Sequence, residues 1–335
     1  MKVFFGALLL LLLVAAAGTS WVWAQINRPY KGFDNEVFID FPVHTRTEQM
    51  GRLLAAKGVL REPWLFMAAR VFAPRPALQA GEYRFSEPAS PLDVLRRIAR
   101  GDTFYEVLTV PEGQNIFEIA QDLKVFQLIS PESFLNAARD PTMIRDLDPA
   151  APSLEGYLFP DSYRIDKRST ARSLCRTMTH RFREEWKTLA TTAGVHDVIT
   201  LASLVEREAK LPAERPLVAS VFRNRLRIDM NLDCDPTTVY AALLEHRYRG
   251  TIYRSDLENP NPYNTYRHPG LPPGPIANPG LSSIKAAISP ANTGFLYFAA
   301  KTDGSGGHNF SDNLRAHLAA AALLRAAERN QSRSR

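Results

Sequence analysis

Apolar residues along the chain fall into three kinds of pattern. The first is unbroken: Val3 to Ala24, VFFGALLLLLLVAAAGTSWVWA, carries no charge. As a helix rising about 1.5 Å per residue, it matches a hydrocarbon layer ~30 Å thick. Trp21 and Trp23 stand at its far end, where an interfacial aromatic belt belongs. A cleavable signal peptide is the competing reading, because Val22-Trp23-Ala24 ends on a small residue. The run is long for a signal core, so residues 1–24 are expected to be an uncleaved anchor and 25–35 a polar linker. On either reading the bulk of the chain leaves the cytoplasm.

The second pattern is alternation, in Glu36 to Val43 and again in Phe104 to Val110, and predicts strands. Each is followed by the third pattern, an apolar helical stripe. Thr45 with Glu48 reads as a capping box before Met50, Leu53 and Leu54, and a PEG turn precedes Ile119, Ala120 and Leu123. Phe41–Arg70 aligns without gaps on Val110–Arg139, the offset from Pro42 to Pro111 being 111 − 42 = 69. An internal repeat of strand, helix, helix is the expectation. Between the copies, residues 78–90 read as a strand pair. A helix follows, with Ser90 as N-cap, Pro91 at its first position and Gly101 just past its end.

From Asp148 the texture changes. SLEGYLFPDSYRI is aromatic and turn-rich, with Glu155 as an isolated carboxylate. Leu174, Met178, Phe182, Trp186 and Leu189 then mark the apolar side of a helix. Further helices carry Ile199–Lys210 and Leu217–Leu226. Another starts at Asp235-Pro236, with Asp235 as a candidate N-cap. The end of the chain predicts a helix near Ser282–Ile288, a strand TGFLYFAA, a glycine-rich turn with His308, and an Ala/Leu helix from about Asn313. The fold class expected is α+β: an N-terminal transmembrane helix, small α/β modules over 36–147, and a mixed α+β catalytic domain over 148–330.

Composition adds limits. The 335 residues are 45% hydrophobic and 23% charged, ordinary for globular domains, and the net charge is +6. The isoelectric point near 9.3 suits an anionic membrane or an acidic polymer. An extracytoplasmic location and the absence of an aromatic-basic motif make nucleic acid no partner. Cys175 and Cys234 build no disulfide framework and are either paired or separately buried. No Cys/His spacing suits zinc, and there is no Walker loop, dinucleotide fingerprint or nucleophile elbow, so neither metal nor cofactor is expected.

Two stretches carry candidate chemistry. In ITLASLVEREAK, at about 100° per residue, Leu201, Ala202, Leu204, Val205 and Ala209 share one arc. Glu206 lies at its margin and Glu208 points into it. A carboxylate among apolar neighbours has a raised pKa and can serve as a general acid near neutral pH. The plain alternative is two helix-surface glutamates. The second stretch, Glu258 to Gly280, is dense in Pro, Gly and Asn but interleaved with Tyr263, Tyr266 and Leu271. Rings and amides on a proline-stiffened loop can form a sugar-binding wall. An acid beside such a wall suits glycosidic bond cleavage.

ITLASLVEREA, VASVFRNRLRIDMNLDCDPTTVY, NPYNTYRHPGLPPGPIANPG, FLYFAA with GGHNFS, and LEGYLFPDSY together resemble the endolytic murein transglycosylase family, also called YceG-like. The resemblance covers Ser153 to about His317, and more weakly a LysM-like region and the anchor before it. It implies a single-pass inner-membrane lyase with a cytoplasmic N-terminus and a periplasmic bulk. Such an enzyme cuts nascent peptidoglycan between MurNAc and GlcNAc, leaves a 1,6-anhydroMurNAc end and terminates glycan elongation. Glycan strands, the membrane and peptidoglycan synthases are the implied partners. By motif position the catalytic acid is Glu206, with Glu208 orienting. Asn224, Asp235, Tyr263, Asn264 and Tyr266 match groove positions. Asp235 as a helix cap and Asn224 as a loop-pinning amide are the structural alternatives. Cys234 stands where Ser or Thr is expected, and AHLAAA where a His-Asn pair is common, which weakens any role for His317. A hydrolytic muramidase and a non-catalytic glycan-binding or division scaffold are the competing functions.

Overall fold

A computed structural model describes residues 2–73 and 77–333. The chain divides into two compact units, 1–106 and 107–335. The division precedes the change of texture at Asp148, so the second copy of the strand-helix-helix pattern shares a core with the residues after it.

In the first unit, α1 (Lys2–Asn27) leads to β1 (Val37–Phe41), α2 (Thr47–Ala56), α3 (Trp64–Phe72), β2 (Gly81–Phe85) and α4 (Pro91–Arg100). Among the described residues α1 is the one helix long and apolar enough to cross a membrane, with a mean hydropathy of 2.1 over Phe4–Asn27. It runs on into the stretch expected as linker, because Ile26 is fully buried in the unit's core with Phe41, Leu54, Phe66 and Leu95. β1 and β2 pair antiparallel, Val37 opposite Phe85 and Phe41 opposite Gly81. One strand, not two, therefore forms within 78–90. Nor does Thr45 cap α2. Its hydroxyl donates to the Pro42 carbonyl at 2.6 Å, and the Arg46 N–H donates to Gln49 Oε1 at 3.2 Å instead. The α4 signals hold in full. Ser90 Oγ accepts from the Asp93 N–H, Pro91 occupies the first turn, and Gly101 takes φ +73, which costs a glycine nothing.

The second unit holds β3 (Glu106–Thr109), α5 (Ile116–Phe126), α6 (Pro131–Arg139), β4 (Ser162–Ile165), α7 (Ala171–Thr188), α8 (Val195–Glu208) and α9 (Arg215–Arg227). After these come α10 (Asp235–Leu244), α11 (Arg254–Leu257), α12 (Leu281–Ile288), β5 (Tyr297–Ala300), β6 (His308–Ser311) and α13 (Leu314–Arg333). Both 41–70 and 110–139 contain two helices after a strand, and α5 starts 116 − 47 = 69 residues after α2. β3 pairs with β4, and β5 pairs antiparallel with β6.

α8 runs through the middle of this core. Every residue from Val198 to Val205 is buried, and α9, α10 and α12 pack against it. The helix interior thus sees no water, and only its two end turns reach a surface. The long 258–280 segment has no regular structure yet is ordered by burial: Asn264, Thr265, Ala277 and Asn278 are inaccessible. Asn278 acts as a four-way clamp. Its Oδ1 accepts from the N–H groups of Gly156 and Leu158, and its Nδ2 donates to the Gln114 carbonyl and to Glu155. Buried polar groups without such partners would cost about 1–3 kcal/mol each.

Candidate active site

The last turn of α8 sends its two carboxylates into different surroundings. Glu206 Oε1 accepts from Arg215 Nη2 at 2.7 Å, and Oε2 accepts from the Gly280 N–H, the N-cap of α12, at 2.9 Å. Arg215, 10% exposed at its side chain, also donates to Ser282 Oγ and to Glu112 at 3.3 Å. Glu206 is thereby an ion-paired tie among α8, α9 and the start of α12, where a helix N-terminus favours an anion. The hollow beside it, about 460 Å³, is walled by Glu112, Gln114, Glu118, Asp122 and Arg207, with no aromatic ring. Sugar faces find nothing to stack on there.

Glu208 ends in the other wall. Burial pushes its carboxyl pKa up, Asp235 nearby adds to the rise, and a hydrogen bond from Cys234 with the His308 and Arg207 charges offset part of it. Cys234 Sγ donates to Glu208 Oε1 at 3.2 Å. Glu208 lines a hollow of about 440 Å³ with Arg225, Asp233, Asp235, Tyr266, Tyr297 and Phe298. Burial thus favours the neutral form of the carboxyl, which still borders the hollow.

Of the seven residues nominated by sequence, Glu208, Asp235 and Tyr266 converge here. Tyr266 Oη donates to Asp235 Oδ1 at 2.7 Å, fixing the ring's orientation in the hollow. Asp235 is the first residue of α10 rather than its cap, a position Cys234 takes, which frees the carboxylate for Tyr266. The other four lie elsewhere. Glu206 is in the ion pair. Asn224 Nδ2 donates to the Thr293 and Phe295 carbonyls at 2.8 and 2.9 Å and so pins the approach to β5. Asn264 Nδ2 donates to the Asp256, Leu257 and Asn259 carbonyls, holding the long loop to α11. The Tyr263 ring packs at 5.1 Å from Tyr240, in the core beside Glu155.

Sequence reading missed Arg225. It sits on the α9 face that also carries Val218 and Phe222, at i+7 and i+3, so its place in the apolar arc was the available signal. Its guanidinium donates to the Leu296, Asn231 and Leu232 carbonyls and lies 5.2 Å over the Tyr297 ring. Tyr297 and Phe298 were read only as strand. Behind Phe298, His308 Nδ1 meets Glu214 Oε2 at 2.7 Å, and its N–H donates to Glu214 Oε1 at 2.9 Å. His317, whose role the sequence had made doubtful, lines the hollow from α13 and stacks on Tyr297 at 5.1 Å. Both cysteines are free and buried, so they do not pair. Among the described residues no cluster of three His, Cys, Asp or Glu could hold a metal ion.

The sequence model of the YceG-like family matches residues 39–323. An endolytic murein transglycosylase of Bacillus subtilis (strain 168) is 32% identical over 289 residues, which cover 80% of this chain and 79% of that protein. A protein of the same name from Streptococcus pneumoniae serotype 2 is 29% identical over 297 residues, 79% of this chain and 54% of that one. The crystal structure of a YceG-like protein of Listeria monocytogenes is similar with a TM-score of 0.55 and 30% identity, covering 85% of this chain and 99% of that one.

Proposed function

The chain belongs to the YceG-like family, and from that premise we infer that it is an endolytic murein transglycosylase in which Glu208 carries the proton. The enzyme is a lyase. It breaks the bond between the MurNAc anomeric carbon and the GlcNAc oxygen within a strand and closes a bond from the same carbon to the MurNAc C6 oxygen. Protonated Glu208 donates to the departing GlcNAc oxygen. As carboxylate it then takes the proton of the C6 hydroxyl. One group serves both steps, no water is consumed, and the acid ends reprotonated.

The observation that carries this assignment is the contrast between the two carboxylates. Motif position alone favoured Glu206, but its oxygens serve Arg215 and Gly280, in a hollow without rings. Glu208 has the raised pKa, the ring-bearing hollow and one weak donor. In this reading Tyr266 offers a stacking face, with Asp235 orienting it. Asn224, Asn264 and Tyr263 hold the walls in place, and Arg225 stiffens the strand that carries Tyr297.

Finer features complete the proposal. α1 anchors the enzyme in the inner membrane, with the N-terminus cytoplasmic and the bulk periplasmic. Residues 36–147 are LysM-like and contact glycan, and peptidoglycan synthases are the fitting protein partners because the substrate is the strand they extend.

The test is digestion of purified glycan strands. Glu208→Gln is expected to lower cleavage by roughly 10²- to 10⁴-fold with the fold intact by circular dichroism. Glu206→Gln is expected to lose stability while its folded fraction still cleaves. The reverse outcome, a folded, inactive Glu206→Gln beside an active Glu208→Gln, would return the role to Glu206. Undiminished cleavage in both variants would place the acid on another residue, and a parent protein that cleaves nothing would favour a scaffold. Products bearing anhydro ends, lighter by one water in mass spectrometry, separate this reaction from muramidase hydrolysis.

A further inference from the structure

In the first unit, Trp21 of α1 stacks on Trp64 of α3 at 5.9 Å, and Trp23 of α1 meets Phe72 of α3 at 5.8 Å. Two residues on α1 span a rise of only about 3 Å, with side chains about 200° apart around the axis. Their partners stand at opposite ends of α3, about 12 Å apart. Contacts so close along one helix and so far along the other require α3 to lie crosswise to α1. A helix lying across a membrane-spanning helix runs along the membrane plane. The crossing occurs at Trp21 and Trp23, the level of the interfacial belt.

The composition of α3 fits that level. WLFMAARVF has one charge in nine residues. Leu65, Phe66 and Ala69 face the core, yet the opposite side is also apolar: Trp64 is 42%, Met67 41% and Val71 76% exposed. These recur at i, i+3 and i+7, one continuous stripe. An apolar hollow bounded by Trp23, Phe72, Leu92 and Leu95 extends the same surface from α1 to α4, with Arg96 and Arg100 in its walls. A helix apolar all round has no reason to keep that stripe in water.

We propose that α3 is an interfacial helix, its Trp64–Met67–Val71 stripe seated in the phospholipid surface beside α1. The proposal rests on α1 being a membrane anchor. Two contacts with the bilayer, one spanning and one lying in the plane, hold the first unit against the membrane and restrict its swivel about α1.

The test uses full-length protein reconstituted in phosphatidylcholine–phosphatidylglycerol vesicles. Single cysteines replace Leu8 in α1, Val71 in α3 or Glu87 on the exposed β2–α4 connection and carry an environment-sensitive dye. The buried Cys175 and Cys234 are spared under native conditions, and unlabelled parent protein sets the background. Lipids bearing a quencher near the glycerol or deep in the chain report depth. Leu8 and Val71 are expected to be quenched, Val71 most by the shallow quencher and at least about threefold more than Glu87. A quenched Leu8 beside a Val71 no more quenched than Glu87 overturns the interfacial helix and leaves the anchor standing. Quenching at none of the three sites overturns both.

Discussion

Glu206 and Glu208 leave α8 two residues apart, about 200° around its axis, and that angle alone sends them into different chemistry. One meets a guanidinium and a helix N-terminus; the other meets a thiol and a hollow lined by rings and charges. In the proposed mechanism the thiol tunes the acid. Its hydrogen bond favours the charged form of Glu208, against the burial that favours the neutral one. A hydroxyl donates more strongly than a thiol, so Cys234→Ser should move the alkaline limb of the cleavage pH profile down. Cys234→Ala removes the donor and should move it up. Identical alkaline limbs in parent, Ser and Ala proteins would detach Cys234 from the catalytic proton.

At the scale of elements, the site is held by polar clamps more than by sheet, since the strands pair only two by two. Glu155 is one clamp. Its Oε2 accepts from the Ile116 N–H at the first turn of α5 at 2.9 Å, its Oε1 accepts from Asn278, and the Tyr240 hydroxyl of α10 reaches it. Burial pushes its pKa from 4.5 up to about 8. Because folding raises this pKa, the native state holds the proton more tightly than the unfolded chain. The stabilisation is full below about pH 4.5 and is lost as pH rises through about 8. The loss runs at up to roughly 1.4 kcal/mol per pH unit in that window. Glu155→Gln keeps one accepting oxygen of the two, so it should be less stable than the parent at pH 5. It does not titrate, so that gap should narrow by pH 8. Urea unfolding at the two pH values measures the gap, and an unchanged gap would remove Glu155 as the source of the slope.

For the whole molecule, two compact units with separate cores divide the labour. The first carries α1 and the proposed interfacial helix; the second contains Glu208, its hollow and every clamp described around them. Residues 107–335 expressed alone should therefore fold and cleave solubilised glycan strands with activity near that of the full chain. Activity on membrane-attached substrate should fall, because nothing then holds the enzyme at the bilayer. A folded but inactive 107–335 protein would mean that the first unit supplies part of the substrate site.

Much of this was legible in the chain itself. The apolar run of α1, the caps of α4 and the stripe of α7 all depend on neighbours within a turn or two, so local pattern suffices to read them. The family motifs named the stretch that holds both carboxylates, and helical phase alone already turned Glu208 toward the apolar arc. The partners could not be read. Glu206 is claimed by Gly280, 74 residues away, and Glu208 by Cys234, 26 residues away. Tyr263 and Tyr266 stand three apart in one loop, yet one packs into the core and the other faces the hollow. Periodicity gives a side chain's direction from its own backbone. Which residues from distant segments complete a carboxylate's surroundings, and thus its proton affinity, was decided only when the tertiary fold brought them together.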